Sequence, residues 1–201
     1  MKKIFKLPLL VIILTLIFSC SSEDSASCEQ IMCYNNGTAN SDCGCDCPLN
    51  YTGMDCSEQR EPNEIIITKV TVERFPVDND GSWWDFDIDD DILADVYFKI
   101  FECVDNTCST TSEFYDSPEY FENAQTLPLV FDYENIVFES YSINRLFYIQ
   151  LFDFDNLSND DPMTNPSDGV FNIYTENNSF PETLRIVGSD FIVNMELSYY
   201  F

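Results

Sequence analysis

Four aspartates fall within the thirteen residues "LFDFDNLSNDDPM", Leu151 to Met163. Asp153 and Asp155 leave an apolar run, and Asp161 follows six residues later. Carboxylates crowded in this way repel one another unless water screens them or a cation holds them. The cation that suits them is calcium, which takes about six to eight oxygens in flexible geometry and can be bridged from adjacent loops. Aspartate serves such a loop because its short side chain carries the oxygens close to the backbone. The competing reading is a solvated loop of an acidic protein, and the consecutive Asp89, Asp90 and Asp91 read as a solvated face.

Composition sets the background for both readings. The chain has 201 residues, 36 acids against 9 bases, a formal net charge of -27 and no histidine. Phosphate recognition needs lysines and arginines, so nucleic acid is excluded as a partner, and docking on an anionic membrane surface is disfavoured. Without histidine there are no His-based triads, no His zinc sites and no imidazole acid/base catalysis. Hydrophobic residues make up 45% and aromatics 15%, enough for a packed core despite the charge.

Residues 1–19 read as a secretory signal. Lys2, Lys3 and Lys6 precede an apolar stretch from Leu7 to Phe18 that is too short to span a bilayer comfortably. The following "IFSC" resembles the lipobox of bacterial lipoproteins, which implies that Cys20 is the lipid-modified first residue of the mature chain. "SSEDS" resembles the acidic signal that sends some Gram-negative lipoproteins to the outer face of the outer membrane. Residues 20–27 are then a short lipidated tether. Nine cysteines are an odd number for an exported protein; assigning Cys20 to lipid leaves an even set for an oxidising compartment.

Six of those eight fall in residues 28–56, a segment with almost no aliphatic content. It cannot bury enough apolar area to fold unaided, so cross-links must replace a core. Cys45, Cys47, Pro48, Tyr51, Gly53 and Cys56 resemble the close of an EGF-like module. The glycine there permits a backbone conformation that a Cβ would forbid in a tight turn. The resemblance implies the pairings Cys28–Cys43, Cys33–Cys45 and Cys47–Cys56. Only Gly44 separates Cys43 from Cys45, where the family carries a longer hairpin.

Residues 57–63 are polar, contain Pro62 and read as a linker. From 64 to 201 the chain alternates eight β-rich runs with turn-rich breaks and shows no amphipathic segment of helix length. The expected fold is all-β, an eight-stranded antiparallel sandwich. Cys103 and Cys108, at the ends of adjacent runs, are placed to close a hairpin as a fourth disulfide. For the neighbours Trp83 and Trp84 the expectation is core packing of both, or burial against a loop. The alternative is one in the core and one exposed, since consecutive strand residues point to opposite faces, with the exposed ring free to stack on a sugar or enter a membrane interface.

Two loops of this sandwich resemble those of C2 domains. The spacing of Asp153, Asp155 and Asp161, followed by "NDDPMT"-type residues, is similar to that family's third calcium loop. "ADVYFKI", Ala94 to Ile100, is similar to the strand start that closes its first calcium loop and puts Asp95 at the family's aspartate. The resemblance implies calcium held by Asp95, Asp153, Asp155 and Asp161, with either Asp85 or Asp89 as the earlier partner.

Nothing in the chain marks a nucleophile, a nucleophile elbow or a cofactor loop, so no enzyme is expected. The expectation is an outer-membrane lipoprotein exposed at the cell surface, held in the membrane through the lipid on Cys20. It would act as a calcium-binding adhesion or interaction module for a protein or glycan partner. The alternative is a metal-free structural subunit of an outer-membrane complex.

Overall fold

The computed structural model describes residues 31–78, 84, 93–105, 107–109, 111–132, 136–155, 159–175 and 180–201. Cys20, Cys28, Asp85, Asp89 and Trp83 lie outside the described residues. The chain forms two compact units, Met1–Pro48 with Gly53–Ser57, and Leu49–Thr52 with Glu58–Phe201. The contact boundary thus runs inside both the segment 28–56 and the expected linker 57–63.

In the small unit, strands β1 (Thr38–Ala39) and β2 (Cys45–Asp46) pair antiparallel. Disulfides join Cys33 to Cys45 and Cys47 to Cys56, and Cys43 is disulfide-bonded as well. Among the described residues of this unit Cys56 alone is buried, which is what a fold held by cross-links in place of a core looks like. Gly53 has φ of 91°, a conformation costly for any residue with a Cβ.

The large unit is all-β. Its strands are a short pair, β3 (Tyr51–Thr52) and β4 (Glu58–Gln59), then β5 (Glu64–Arg74), β6 (Val96–Cys103), β7 (Thr111–Asp116), β8 (Leu129–Phe131), β9 (Ile136–Glu139), β10 (Leu146–Asp153), β11 (Asp161–Pro162), β12 (Val170–Asn172), β13 (Thr183–Val187) and β14 (Ile192–Tyr200). Every strand pair among the described residues is antiparallel. One five-stranded sheet runs β11-β10-β6-β7, with β12 also on β10. The other runs β13-β14-β5-β8, with β9 also on β5. Each of the eight β-rich runs contains a strand. The fourth run, "TLPLVFDYENIVF" at residues 126–138, contains two, because Leu129–Phe131 pairs with Val70–Val72 and Ile136–Glu139 pairs with Glu64–Ile67, one after the other along β5.

Alternation places one face of each sheet in a shared core. From β6 it takes Val96, Phe98 and Ile100; from β10, Phe147, Ile149 and Leu151; from β5, Ile65, Ile67, Val70 and Val72. Phe138 and Phe147 are fully buried, edge to face with centroids 4.9 Å apart. Burying one such ring stabilises the fold by about 1.5–3 kcal/mol. Gly169 lies hard against β10: a Cβ there would stand 2.0 Å from the Ile149 carbonyl oxygen, while the Ile149 N–H donates to the Gly169 carbonyl at 3.0 Å. Cys103 and Cys108 are bridged at the end of β6.

Candidate functional site

The strand alternation that buries Phe147, Ile149 and Leu151 also turns Asp153 inward, and Asp153 is fully buried at the end of β10. A carboxylate in that position must be hydrogen-bonded. Its Oδ1 accepts the Asp95 N–H at 2.6 Å. Asp95, just before β6, passes the pattern on: its Oδ1 accepts the Asn123 N–H at 2.7 Å, and its carbonyl accepts the Phe154 N–H at 2.9 Å. Three segments distant in sequence are therefore fastened to one another through carboxylates and backbone amides.

The remaining aspartates sit close by. Asp161 is exposed and lies opposite Asp153 in the β10–β11 register. The Asp155 N–H donates to Asp160 Oδ1 at 3.2 Å, and the Tyr97 hydroxyl donates to Asp160 Oδ2 at 2.6 Å. Burial, then this bond to an anionic partner, pushes the Tyr97 phenol well above its ordinary range. Asp160 was absent from the expected ligand set, although it stands in the same acidic stretch.

Asp95, Asp153, Asp155 and Asp161 thus share one end of the sheet, but their carboxylates do not converge. Among the described residues, no three or more carboxylates or cysteines are grouped to hold a metal ion. The described part of the tip therefore does not fit calcium by itself. Asp85 and Asp89 lie outside the described residues.

A second feature occupies the solvent side of the same sheet. Tyr148 stacks on Phe101 (centroids 4.8 Å apart), Phe101 meets Phe152 (6.3 Å), and Phe152 meets Tyr97 (5.5 Å). Tyr97 meets Phe154 (6.4 Å), which stacks on Tyr120 (4.6 Å). None of these six rings belongs to the core cluster. Tyr97 and Tyr148 are buried beneath their neighbours, Phe101, Phe152 and Phe154 are half-buried, and Tyr120 is 42% exposed. Lys99 Nζ lies 5.6 Å from the Tyr97 centroid and 5.7 Å from that of Phe152, within cation–π range. It also donates to Asp116 at 2.9 Å and Glu113 at 3.4 Å. Burial opposes the charge of Lys99, but the Asp116 and Glu113 carboxylates outweigh it and hold its pKa above the ordinary lysine value. The signal for this face is in the sequence: "VYFKIF" and "LFYIQLF" are apolar or aromatic at positions of both parities, more than one buried face requires.

An open cleft of about 990 Å³ lies nearby in the large unit, lined among others by Arg74, Phe75, Trp84, Gln150, Thr164 and Asp190. Trp84 is buried and its Nε1–H donates to the Pro76 carbonyl at 3.2 Å. Arg74 donates to the Gly188 and Ser189 carbonyls, and Gln150 to that of Thr164. These polar groups secure the loops that form the wall.

No family model matches the chain, and no curated protein matches it. Among solved structures, a C2 domain of plant extended synaptotagmin 1 is similar, at 16% sequence identity. The likeness covers 70% of this chain and 97% of that one, with a TM-score of 0.35. No residue role is carried over from it.

Proposed function

We propose that the chain is an exported lipoprotein, anchored through Cys20 in the outer membrane of a Gram-negative cell and exposed at its surface, where it acts as a binding module rather than an enzyme. The observation that carries the binding role is the line of six rings outside the core. Phe101, Phe152, Phe154 and Tyr120 leave apolar edges at solvent outside the core, and partly exposed apolar patches mark interaction sites. The cysteines favour export: all those described are disulfide-bonded, as an oxidising compartment allows. Against catalysis stands the use of the Asp153 and Asp95 carboxylates as acceptors for backbone amides.

Calcium at the acidic tip is a second reading. It is favoured by the register that puts Asp161 opposite Asp153, and Asp153 opposite the residue that follows Asp95. It requires a further oxygen donor from outside the described residues.

Cell fractionation tests the anchor. Two acyl chains hold a protein on a membrane where one is marginal, so wild-type protein should sediment with outer membranes and be cut by protease added to intact cells. The Cys20→Ala variant should leave the outer-membrane fraction. Unchanged sedimentation of Cys20→Ala, or full protection of the wild type from external protease, would refute the proposal.

A further inference from the structure

We infer that the cleft lined by Arg74 and Gln150 takes a short peptide with free ends, its C-terminal carboxylate on Arg74. The site uses none of the six outer rings, so it stands or falls apart from the binding face proposed above. Arg74 sets the anionic end of the ligand. Four other cations of the large unit are paired with carboxylates: Lys69 with Glu196, Lys99 with Asp116 and Glu113, Arg145 with Glu102, and Arg185 with Glu73. Arg74 has no carboxylate at ion-pair distance among the described residues, in a chain with 36 acids. Its Nη2 donates to the Gly188 carbonyl at 3.1 Å and to the Ser189 carbonyl at 2.9 Å, which fixes the guanidinium plane. Nε and Nη1 bond to nothing among the described residues, so part of a pre-oriented donor fork stays available. Gln150 is the second signal. It is only 7% exposed, and its Nε2 is committed to the Thr164 carbonyl at 2.6 Å. Its carboxamide oxygen accepts nothing among the described residues, yet it is not sealed away from solvent. Buried acceptors are normally partnered, and the space that Gln150 lines is this cleft.

Charge and size set the class of ligand. Asp78 and Asp190 line the same cleft, so its charged groups are two carboxylates against one guanidinium. A multiply charged anion is repelled by that arrangement, and a simple cation leaves Arg74 unused. A zwitterion satisfies both signs. Its carboxylate meets the arginine fork, the mode by which peptide C-termini are captured elsewhere. Its ammonium meets Asp190, whose Oδ2 accepts the Ser189 hydroxyl at 2.9 Å. Between the two ends the lining is apolar as well as polar. Phe75, Trp84 and Met163 belong to the core cluster, and the Trp84 N–H is already spent on the Pro76 carbonyl. The Gln150 oxygen calls for a donor such as a backbone N–H, which a peptide carries along its length and a fatty acid lacks. At about 990 Å³ the cleft stands at the upper end of the roughly 300–1,000 Å³ of small-ligand sites, too large for a single amino acid to fill.

The test is equilibrium dialysis of the full-length protein in detergent against a mixture of tetrapeptides built from Ala, Val, Leu and Phe, with bound peptide read by mass spectrometry. Three versions are compared: both ends free, the C-terminus amidated, and the N-terminus acetylated. The free-ended peptides should be retained, and amidation should weaken them about tenfold or more, the scale of losing a charge-assisted hydrogen bond. Acetylation should weaken them by less, and high salt should weaken only the free-ended set. In Arg74→Gln the free and amidated peptides should bind alike. In Asp190→Asn the free and acetylated ones should bind alike; Asp190 is exposed, so this variant should melt with wild type and keeps the test open if Arg74→Gln fails to fold. Lys69→Gln and Arg185→Gln, cations paired elsewhere, should leave binding unchanged. No retention of the free-ended peptides overturns the inference. So does equal binding of free and amidated peptides to wild type, or a preference for the free carboxylate that survives Arg74→Gln.

Discussion

Replacing Asp153 separates a fastening role of the acidic tip from a metal-binding one. Asp153 is fully buried, and its Oδ1 receives the Asp95 N–H at 2.6 Å. A hydrogen bond to a charged group contributes about 1.5–3 kcal/mol, and a buried N–H left without an acceptor costs about 1–3 kcal/mol. Asp153→Ala removes the acceptor and leaves a small void, so a loss of about 2–4 kcal/mol is expected. In a domain of this size that lowers Tm by roughly 10 °C. Asp153→Asn keeps an oxygen for the Asp95 N–H but gives up the charge and sets an NH2 where the buried Oδ2 stood, so its cost should fall below that of Asp153→Ala, at about 1–2 kcal/mol. Urea unfolding followed by tryptophan fluorescence, run once in chelator and once in millimolar calcium, reads both variants. A calcium ion at ten times its dissociation constant would add about 1.4 kcal/mol to the wild type. If calcium stabilises wild type by that amount and Asp153→Asn abolishes the gain, the carboxylate is a ligand and the fastening account is wrong. It is equally wrong if Asp153→Asn costs as much as Asp153→Ala.

Two further outcomes follow from local geometry. Gly169→Ala should destabilise by about 1–3 kcal/mol or more, because its Cβ would meet the Ile149 backbone oxygen, which cannot move without breaking the sheet; a neutral result in thermal melting would show that β12 shifts freely. In the turn closed by Cys103 and Cys108, Asp105 is held down to about 2, first by the Ser109 hydroxyl and then by Thr107 and the two backbone amides. Because the folded value lies below the ordinary 3.8, the contribution is complete above that pH and fades as pH falls through about 2. An NMR titration of the Asp105 carboxyl should find the low midpoint in wild type and a higher one in Ser109→Ala; a wild-type midpoint near 4 would contradict this.

The strands were legible because alternation and turn residues are local signals. "EIIITKVTVERF" and "DFIVNMELSYYF" announce β5 and β14 without any knowledge of their pairing. The division of the fourth run was not, since it depends on where each half meets β5. The two-residue strand β11 was hidden by Pro162, a residue that argues against a strand. At the tip, the sequence shows that aspartates gather but not what their oxygens accept. Asp153 finds its amide 58 residues away, at Asp95, and Asp95 finds its own 28 residues on, at Asn123. Such partners are set by tertiary register, which no spacing rule reports. The outer aromatic face escaped for a related reason: a run that is apolar on both faces reads as a strand buried on both.

The place of β5 in its sheet bears on how the sandwich carries force. β5 begins at Glu64, opposite Tyr200 at the far end of β14, and is paired along one side by β14 and along the other by β8 and β9. Sheet hydrogen bonds lie across the strands. A pull along β5 that arrives through the chain before Glu64 therefore shears two ladders together, and many bonds share the load at once. An edge strand such as β13 or β7, drawn away sideways, would lose its bonds one after another. Under the proposed N-terminal anchor, a load applied through the opposite sheet would thus run along the strongest direction of the sandwich, and the fold should outlast the contact that carries the load.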